Sequence, residues 1–457
     1  MTSRRRICLN PCDCCIYGHH RWLARRQRGG NIAFMMVDVE GIVDPAAVRQ
    51  ALTAVMTAYP VTLASLGISP LRLRPFWKLP SSTSDADVAA ERAHVYDDLR
   101  ADPDATARLN QLCTRRYGPD WDLSRGPQVR LEQYALPGDR TRLCLRWPHF
   151  LMDAEGAQWF LSELGRHFDG TNDPSQSLLP ADDPSVEVLA QMSPLARVRF
   201  MMRGLSAQKS PARSQVRHVV AAPAQRVESY QFLHRCWRGQ DFERIRERAH
   251  QTMPPGPALY GRYLAAIVLQ ALDRVYREEG FDTQEFAITF PMKVRITPPG
   301  DEAISRPMTG NFLVTPTLVV DRGKVGDLAA LGSDIQMQLQ AFLEVRGDKA
   351  QWALLEAAAL IHAWFYPALF RFAFAGAAYS SGFSYYGEID RPLRRFAGAE
   401  VTNIWGGGPS TTPPGWNPVF SRYGDNLNLS LTWTRPHIPD ALAERYANFI
   451  GEFVLAR

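Results

Sequence analysis

Apolar and polar positions alternate with two different periods along the chain. NIAFMMVDVEG (31–41) is a β-rich run closed by Gly41 and predicts a strand. Asp44 and Pro45 then suit the N-cap and first position of a helix through VRQALTAVMTAYP. TRLCLRW (141–147) alternates, with Leu143, Leu145 and Trp147 on one face, as a half-buried strand does. It runs through PHFLMDAEG into a helix, GAQWFLSELGRHF, with Trp159, Phe160, Leu164 and Phe168 at near-helical spacing. The second half repeats the idiom. Residues 257–280 carry Leu264, Ile267, Val268, Leu272 and Val275 on one helical face, with Gly280 as the stop. Strands are predicted at FAITF (286–290), NFLVTPTLVV (311–320) and NLNLSLTW (426–433). The pattern is α/β (α+β), without internal repeats or low-complexity tracts.

Between about 169 and 225 the pattern breaks. GTNDPSQSLLPADDPS reads as a linker, and LARVRFMMRGLSAQKSPARSQVR after it is basic and amphipathic. Arg197, Arg199, Arg203, Lys209, Arg213 and Arg217 either form a solvated face of an interlobe connector or rest on an anionic surface or carrier protein. The expected organisation is an N-terminal lobe (1–180), a linker (181–225) and a C-terminal lobe (226–457).

The composition, 46% hydrophobic and 11% aromatic over 457 residues, excludes a disordered chain. A net charge of +5, spread along the chain, does not call for nucleic acid. Only five basic residues are Lys, so Arg dominates the 52 cations. Cys8, Cys12, Cys14 and Cys15 crowd the start beside His19 and His20, but no second Cys or His pair follows as a structural zinc site requires. They read as small apolar thiols of a reduced, cytoplasmic chain, with no metal. AAALIHAWFYPALF (357–370) is uncharged, yet Glu356, Pro367 and Arg371 interrupt what a membrane span needs. The expectation is a buried helix pair or an apolar tunnel wall, with peripheral membrane contact left open. Met1–Arg6 leads into no apolar signal segment.

Stock motifs are excluded in turn. There is no GxxxxGK[ST]. GGGP (406–409) sits in a Pro-rich stretch and reads as a loop. SGFSYYG (381–387) lacks the glycine two residues after its serine that a nucleophile elbow requires. His149-Phe-Leu-Met-Asp153 remains. A His between a strand and a helix suits a general base, with Asp153 orienting it. The same spacing also suits a buried His beside an N-cap Asp.

The order of motifs resembles the condensation-domain superfamily of HxxxD acyltransferases, which have the chloramphenicol acetyltransferase-like fold. These include nonribosomal peptide condensation domains, polyketide-associated acyltransferases and wax ester synthases. PHFLMDA (148–154) is similar to their HHxxxDG, with Pro148 for the first His and Ala154 for the Gly. TFPMKVR (289–295) resembles their strand ending in Arg, and GNFLVT (310–315) resembles Gly-x-Phe-Val-Asn-Thr. Ser384-Tyr385-Tyr386-Gly387 is similar to their Ser-Asn-x-Gly. LIHAWFYPALFRFAFAG resembles an apolar helical stretch of the wax-ester-synthase branch and points to an apolar substrate.

The resemblance implies two chloramphenicol acetyltransferase-like lobes forming a V, with the active-site tunnel between them. An acyl thioester, on coenzyme A or on the phosphopantetheine of an acyl or peptidyl carrier protein, would meet a small hydroxyl or amine acceptor there. No permanently bound cofactor is implied, and a monomer is expected. His149 would be the catalytic base, and Asp153 would pair with Arg295 from the second lobe to hold the loop. Pro148, Ala154, Asn311, Thr315, Ser384, Tyr385 and Gly387 would border the tunnel, with Ser384 or the amide near Gly387 beside the oxyanion. Ala154 narrows the room beside His149, so the alternative implied is a catalytically silent module that recruits a carrier protein or tailoring enzyme.

Overall fold

The computed structural model describes residues 6–25, 30–68, 74–82, 85–118, 121–169, 192–206, 226–294, 309–361, 365, 379–389 and 393–456. Its largest sheet has six strands: β14 (Arg395–Phe396), β15 (Ala399–Gly407), β2 (Ile32–Glu40), β7 (Arg140–Pro148), β6 (Arg130–Leu136) and β5 (His94–Asp98), in that spatial order. All neighbours are antiparallel except β5 and β6. The last two strands in the chain to join it, β14 and β15, come from the second half of the sequence. Strand β15 pairs with β2 from Glu400 opposite Glu40 to Gly407 opposite Phe34, and β14 pairs with β15.

Helices α2 (Pro45–Ala58) and α5 (Ala154–Asp169) share one core with the inner face of this sheet. Asp44 caps α2 as its sequence predicts, accepting from the N–H groups of Ala46 and Ala47. The predicted half-buried strand at 141–147 is buried on both faces instead. Leu143, Leu145 and Trp147 enter one core and Cys144 another, while Arg146 is 1% exposed and pairs with Glu132 at 3.0 Å. Helices α3 (Ala86–Ala93) and α4 (Ala105–Arg116) flank this half, and α4, packed on β8 (Ser229–Arg238), covers the second face. An alternating pattern cannot reveal a buried cation whose partner lies on the neighbouring strand.

A second sheet carries β13 (Ser384–Glu388), β16 (Trp416–Tyr423), β17 (Asn426–Arg435) and β8. Helices α7 (Gln240–Thr252), α8 (Leu259–Glu278) and α11 (Asp440–Leu455) close its core. Gly280 stops α8 at φ +71°, a left-handed conformation that favours glycine. The predicted strand at 311–320 is broken into β11 (Leu313–Val314) and β12 (Thr317–Asp321), because Pro316 between them has no N–H for a ladder. They pair separately with β10 (Met292–Lys293) and β9 (Glu285–Thr289). Gly406 and Gly407, expected in a loop, end strand β15, and a Cβ at Gly407 would enter the Phe34 ring. Beyond them, α9 (Leu328–Glu344) and α10 (Gly347–Ala359) lead toward the apolar 357–378 segment, most of which lies outside the described residues. Helix α6 (Pro194–Ser206) packs on α10.

The N-terminus forms β1 (Arg6–Cys8), paired with β4 (Phe76–Lys78), which also pairs β3 (Ser65–Gly67). Helix α1 (Pro11–Arg25) follows and carries Cys12, Cys14 and Cys15. All seven cysteines are free thiols, and the described residues hold no group of three or more His, Cys, Asp or Glu arranged to bind a metal. No helix among them is long and apolar enough to cross a membrane.

Candidate active site

Strand β7 ends at Pro148, opposite Ile32, and His149 begins the turn into α5. The His149 N–H donates to the Asn31 carbonyl at 2.8 Å, and the Leu151 N–H to the Pro148 carbonyl at 2.8 Å. Trp147 Nε1 closes the loop by donating to the Met152 carbonyl at 2.8 Å. Phe150, Leu151 and Met152 are all buried. Phe150 stacks on Trp77 at 5.7 Å and meets Tyr17 and His20 of α1 edge-on. Three buried apolar side chains in a row anchor the loop and leave His149 half-buried at its edge.

Asp153 is the N-cap of α5. Its Oδ1 accepts from the Gly156 N–H at 3.0 Å, and its side chain is buried. Ala154 is the first helical residue. Of the two roles open to Asp153 from its spacing, capping is thus present. Arg295, its expected partner, lies outside the described residues.

The loop is also held from the second half of the chain. Gly310 donates its N–H to the Leu151 carbonyl at 2.7 Å and bridges to Met152. Asn311, fully buried, sends Nδ2 to the His149 carbonyl at 2.6 Å and to Asp13 Oδ1 at 2.8 Å. Its N–H donates to the same Asp13 oxygen at 2.9 Å, and its carbonyl accepts from Asn10 Nδ2 at 3.1 Å. Asn10 in turn caps α1, accepting from the Asp13 N–H at 2.8 Å. A further tie runs from Lys293 to Glu155, at 2.7 Å.

Burial pushes the His149 imidazole below its ordinary value; its own backbone carbonyl, Asp153 and Asn311 oppose that push. His149 is therefore neutral near pH 7. Its Nδ1 is buried without a hydrogen bond of good geometry. Asp13 is raised well above the carboxylate range by burial, with the Asn311 hydrogen bonds opposing and Asp153 adding to the rise. Burial, then the charge of Asp153, raises Tyr386 too. The charge of Asp153 thus reaches His149, Asp13 and Tyr386 alike.

The other expected tunnel residues divide. Tyr385 lines a cavity of about 230 Å³ with Phe290, Met292, Lys293 and Phe383. Gly261 keeps that cavity open, since a Cβ there would lie 3.2 Å from the Phe290 ring and 3.5 Å from Tyr385. Ser384 opens β13 opposite Val419, and Gly387 adopts φ +78° in an irregularity of that strand. The Thr315 carbonyl accepts from Gln351 of α10 at 3.3 Å. Asp13 and Asn10 are missing from the sequence expectation. Asn10-Pro11-Cys12-Asp13 is a legible helix start, but its contact with residue 311 is a long-range fact.

No family model and no curated protein matches the chain. Solved structures do. The first condensation domain of the CDA synthetase superposes with a TM-score of 0.73 at 15% identity, covering 99% of this chain and 96% of that one. The trichothecene 15-O-acetyltransferase TRI3 from Fusarium sporotrichioides gives 0.72 at 12% identity, over 99% and 96%. The starter condensation domain of rhizomide synthetase, solved with C8-CoA and Leu-SNAC, gives 0.64 at 16%, over 99% and 94%. Over nearly its whole length, the chain has the chloramphenicol acetyltransferase-like fold of condensation domains.

Proposed function

We propose that the protein is a free-standing condensation-type acyltransferase. It moves an acyl group from a thioester, on coenzyme A or a carrier-protein phosphopantetheine, to a hydroxyl or amine acceptor. The observation that carries this reading is the neutral His149, fixed through its backbone by Asn31 and Asn311; with Nδ1 buried, Nε2 is the nitrogen assigned to the proton transfer. His149 Nε2 takes the acceptor proton as the nucleophile attacks the thioester carbonyl. The carbon–sulfur bond breaks, and the proton passes to the departing thiolate. The products are an ester or amide and a free thiol. No acyl-enzyme is required, because holding donor and acceptor together supplies the advantage a covalent intermediate would give. Asp153 holds the loop rather than serving as a second base, and its capping bond supports that division.

The approximately 230 Å³ cavity, walled by Phe290, Met292, Phe383 and Tyr385, supports an apolar group on one substrate. The test is thiol release from a panel of acyl-coenzyme A and acyl-pantetheine thioesters, each with amine and alcohol acceptors. Acceptor-dependent thiol release with matching ester or amide product is expected. Carrier-protein binding without turnover of any thioester would favour the silent docking module.

A further inference from the structure

Thirteen large apolar side chains are exposed among the described residues, and nine of them lie on or just beyond α6, α9 and α10, with α10 packed against the other two. Leu195, Val198 and Met202 lie on α6; Met337, Leu343 and Val345 on α9 and the turn after it; Leu360, Ile361 and Phe365 at and beyond the end of α10. Helix α6 packs on α10, and α10 on α9. Scattered exposed apolar residues need no account, but a concentration of this kind marks an interaction face.

Helix α6 presents apolar residues to solvent as well as on its packed side. Leu195, Val198 and Met202 are spaced three and four residues apart and so share one side, yet they are 62%, 53% and 59% exposed. Arg197, Phe200 and Met201, toward the opposite side, are the half-buried residues. The apolar stripe therefore faces water. Arg199 and Arg203 are exposed alongside it, and the helix, PLARVRFMMRGLS, contains no acidic residue.

We propose that this face lies on an anionic lipid surface, with α6 parallel to the membrane and its Leu-Val-Met stripe sunk among the acyl chains. The charge pattern selects the partner. A helix half-immersed at an interface needs long, flexible apolar side chains below and Arg beside them, where the stems lie along the apolar boundary and the guanidinium groups reach phosphate. Arg199 and Arg203 occupy that flank. The exposed apolar residues on α9 and beyond the end of α10, the helix on which α6 packs, add to the apolar surface of this part of the fold. An acidic carrier protein would engage the same arginines but would not require an exposed Leu-Val-Met stripe beside them.

Co-sedimentation of the full chain with vesicles tests this. One set is phosphatidylcholine alone, the other phosphatidylcholine and phosphatidylglycerol in equal parts. Pelleting with the anionic vesicles, weakened by salt, is expected. The triple variant Leu195→Ser, Val198→Ser, Met202→Ser should weaken it by about a hundredfold, and Arg199→Gln with Arg203→Gln by about tenfold. Circular dichroism melts of both variants matching the parent would separate lost binding from lost folding. Three results would overturn the proposal. Failure to pellet with anionic vesicles is one, and equal pelleting of the triple variant is another. The third is a stripe-dependent complex with an acidic carrier protein or a second copy, without vesicle binding.

Discussion

Asn311 reaches across 162 residues of sequence to donate Nδ2 to the backbone carbonyl of His149 at 2.6 Å. The same amide group binds Asp13, so one side chain ties the first helix, the second half of the chain and the loop of the proposed base. Asp13 accepts twice from Asn311 through a single oxygen. Position 311 is thus a three-way joint in which a buried amide satisfies groups that no water reaches.

Breaking that joint has a definite cost. Asn311→Ala removes the Nδ2 donor from the His149 carbonyl and one of the two donors from Asp13, the backbone N–H at 311 remaining, which destabilises a buried site by about 1–3 kcal/mol. Thermal or urea unfolding should show the loss, and kcat should fall more than KM rises because His149 is displaced. An Asn311→Ala protein with the parent's melting temperature and kcat would remove Asn311 from this role.

The capping and pairing roles of Asp153 separate by substitution. Asp153→Ala loses the bond to the Gly156 N–H, worth about 0.5–2 kcal/mol, and also any pairing with Arg295. Asp153→Ser keeps a cap but no charge. If the pair implied by the resemblance exists, Ser recovers only the capping part, and Arg295→Ala alone costs about 3–5 kcal/mol. Unfolding free energies measure both, and an Asp153→Ser protein as stable as the parent would exclude the pair.

Burial lowers His149, so kcat/KM should rise with pH through a midpoint below the ordinary imidazole value of about 6.5 and stay level through neutrality. The sign follows from the base being lost on protonation. A pH–rate profile checks it, and an acid limb centred above pH 7 contradicts it.

His20 makes a parallel case for stability. Burial lowers it to about 4, and its Nδ1 accepts from the Asn31 N–H at 3.1 Å, so it must be unprotonated when folded. The unfolded chain, titrating near 6.5, binds the extra proton first. Stability from this group is full above about pH 6.5 and is lost as the pH falls toward 4. His20→Asn, which presents an oxygen in place of Nδ1, should flatten that part of the urea-unfolding profile. An unchanged slope would show that His20 does not contribute.

Local signals marked much of this molecule in the sequence. Asp44-Pro45 marks the start of α2, the alternation at 426–433 marks a central strand, and His149 and Asp153 stand at a strand-to-helix turn because PHFLMD breaks one period and starts another. What stayed hidden depends on distant partners. Arg146 looks like a solvent-facing position until Glu132 is set beside it. Gly406 and Gly407 look like loop until Phe34 and Tyr386 need the room above a strand. Asp13 passed as one acid in a cysteine-rich helix, since nothing near residue 13 points to residue 311. The apolar side of α6 was legible as amphipathic, but its direction was not.

The central claim is that His149 is the base for acyl transfer, and His149→Ala tests it most directly. With a thioester and acceptor that the parent converts, the variant should lose about 10²–10⁴-fold in kcat/KM. Its melting temperature should stay at the parent's value, because the loop is held by the backbone of residue 149 and the side chains of Phe150, Asn311 and Asp153. A folded His149→Ala protein that turns over at the parent's rate would contradict the account.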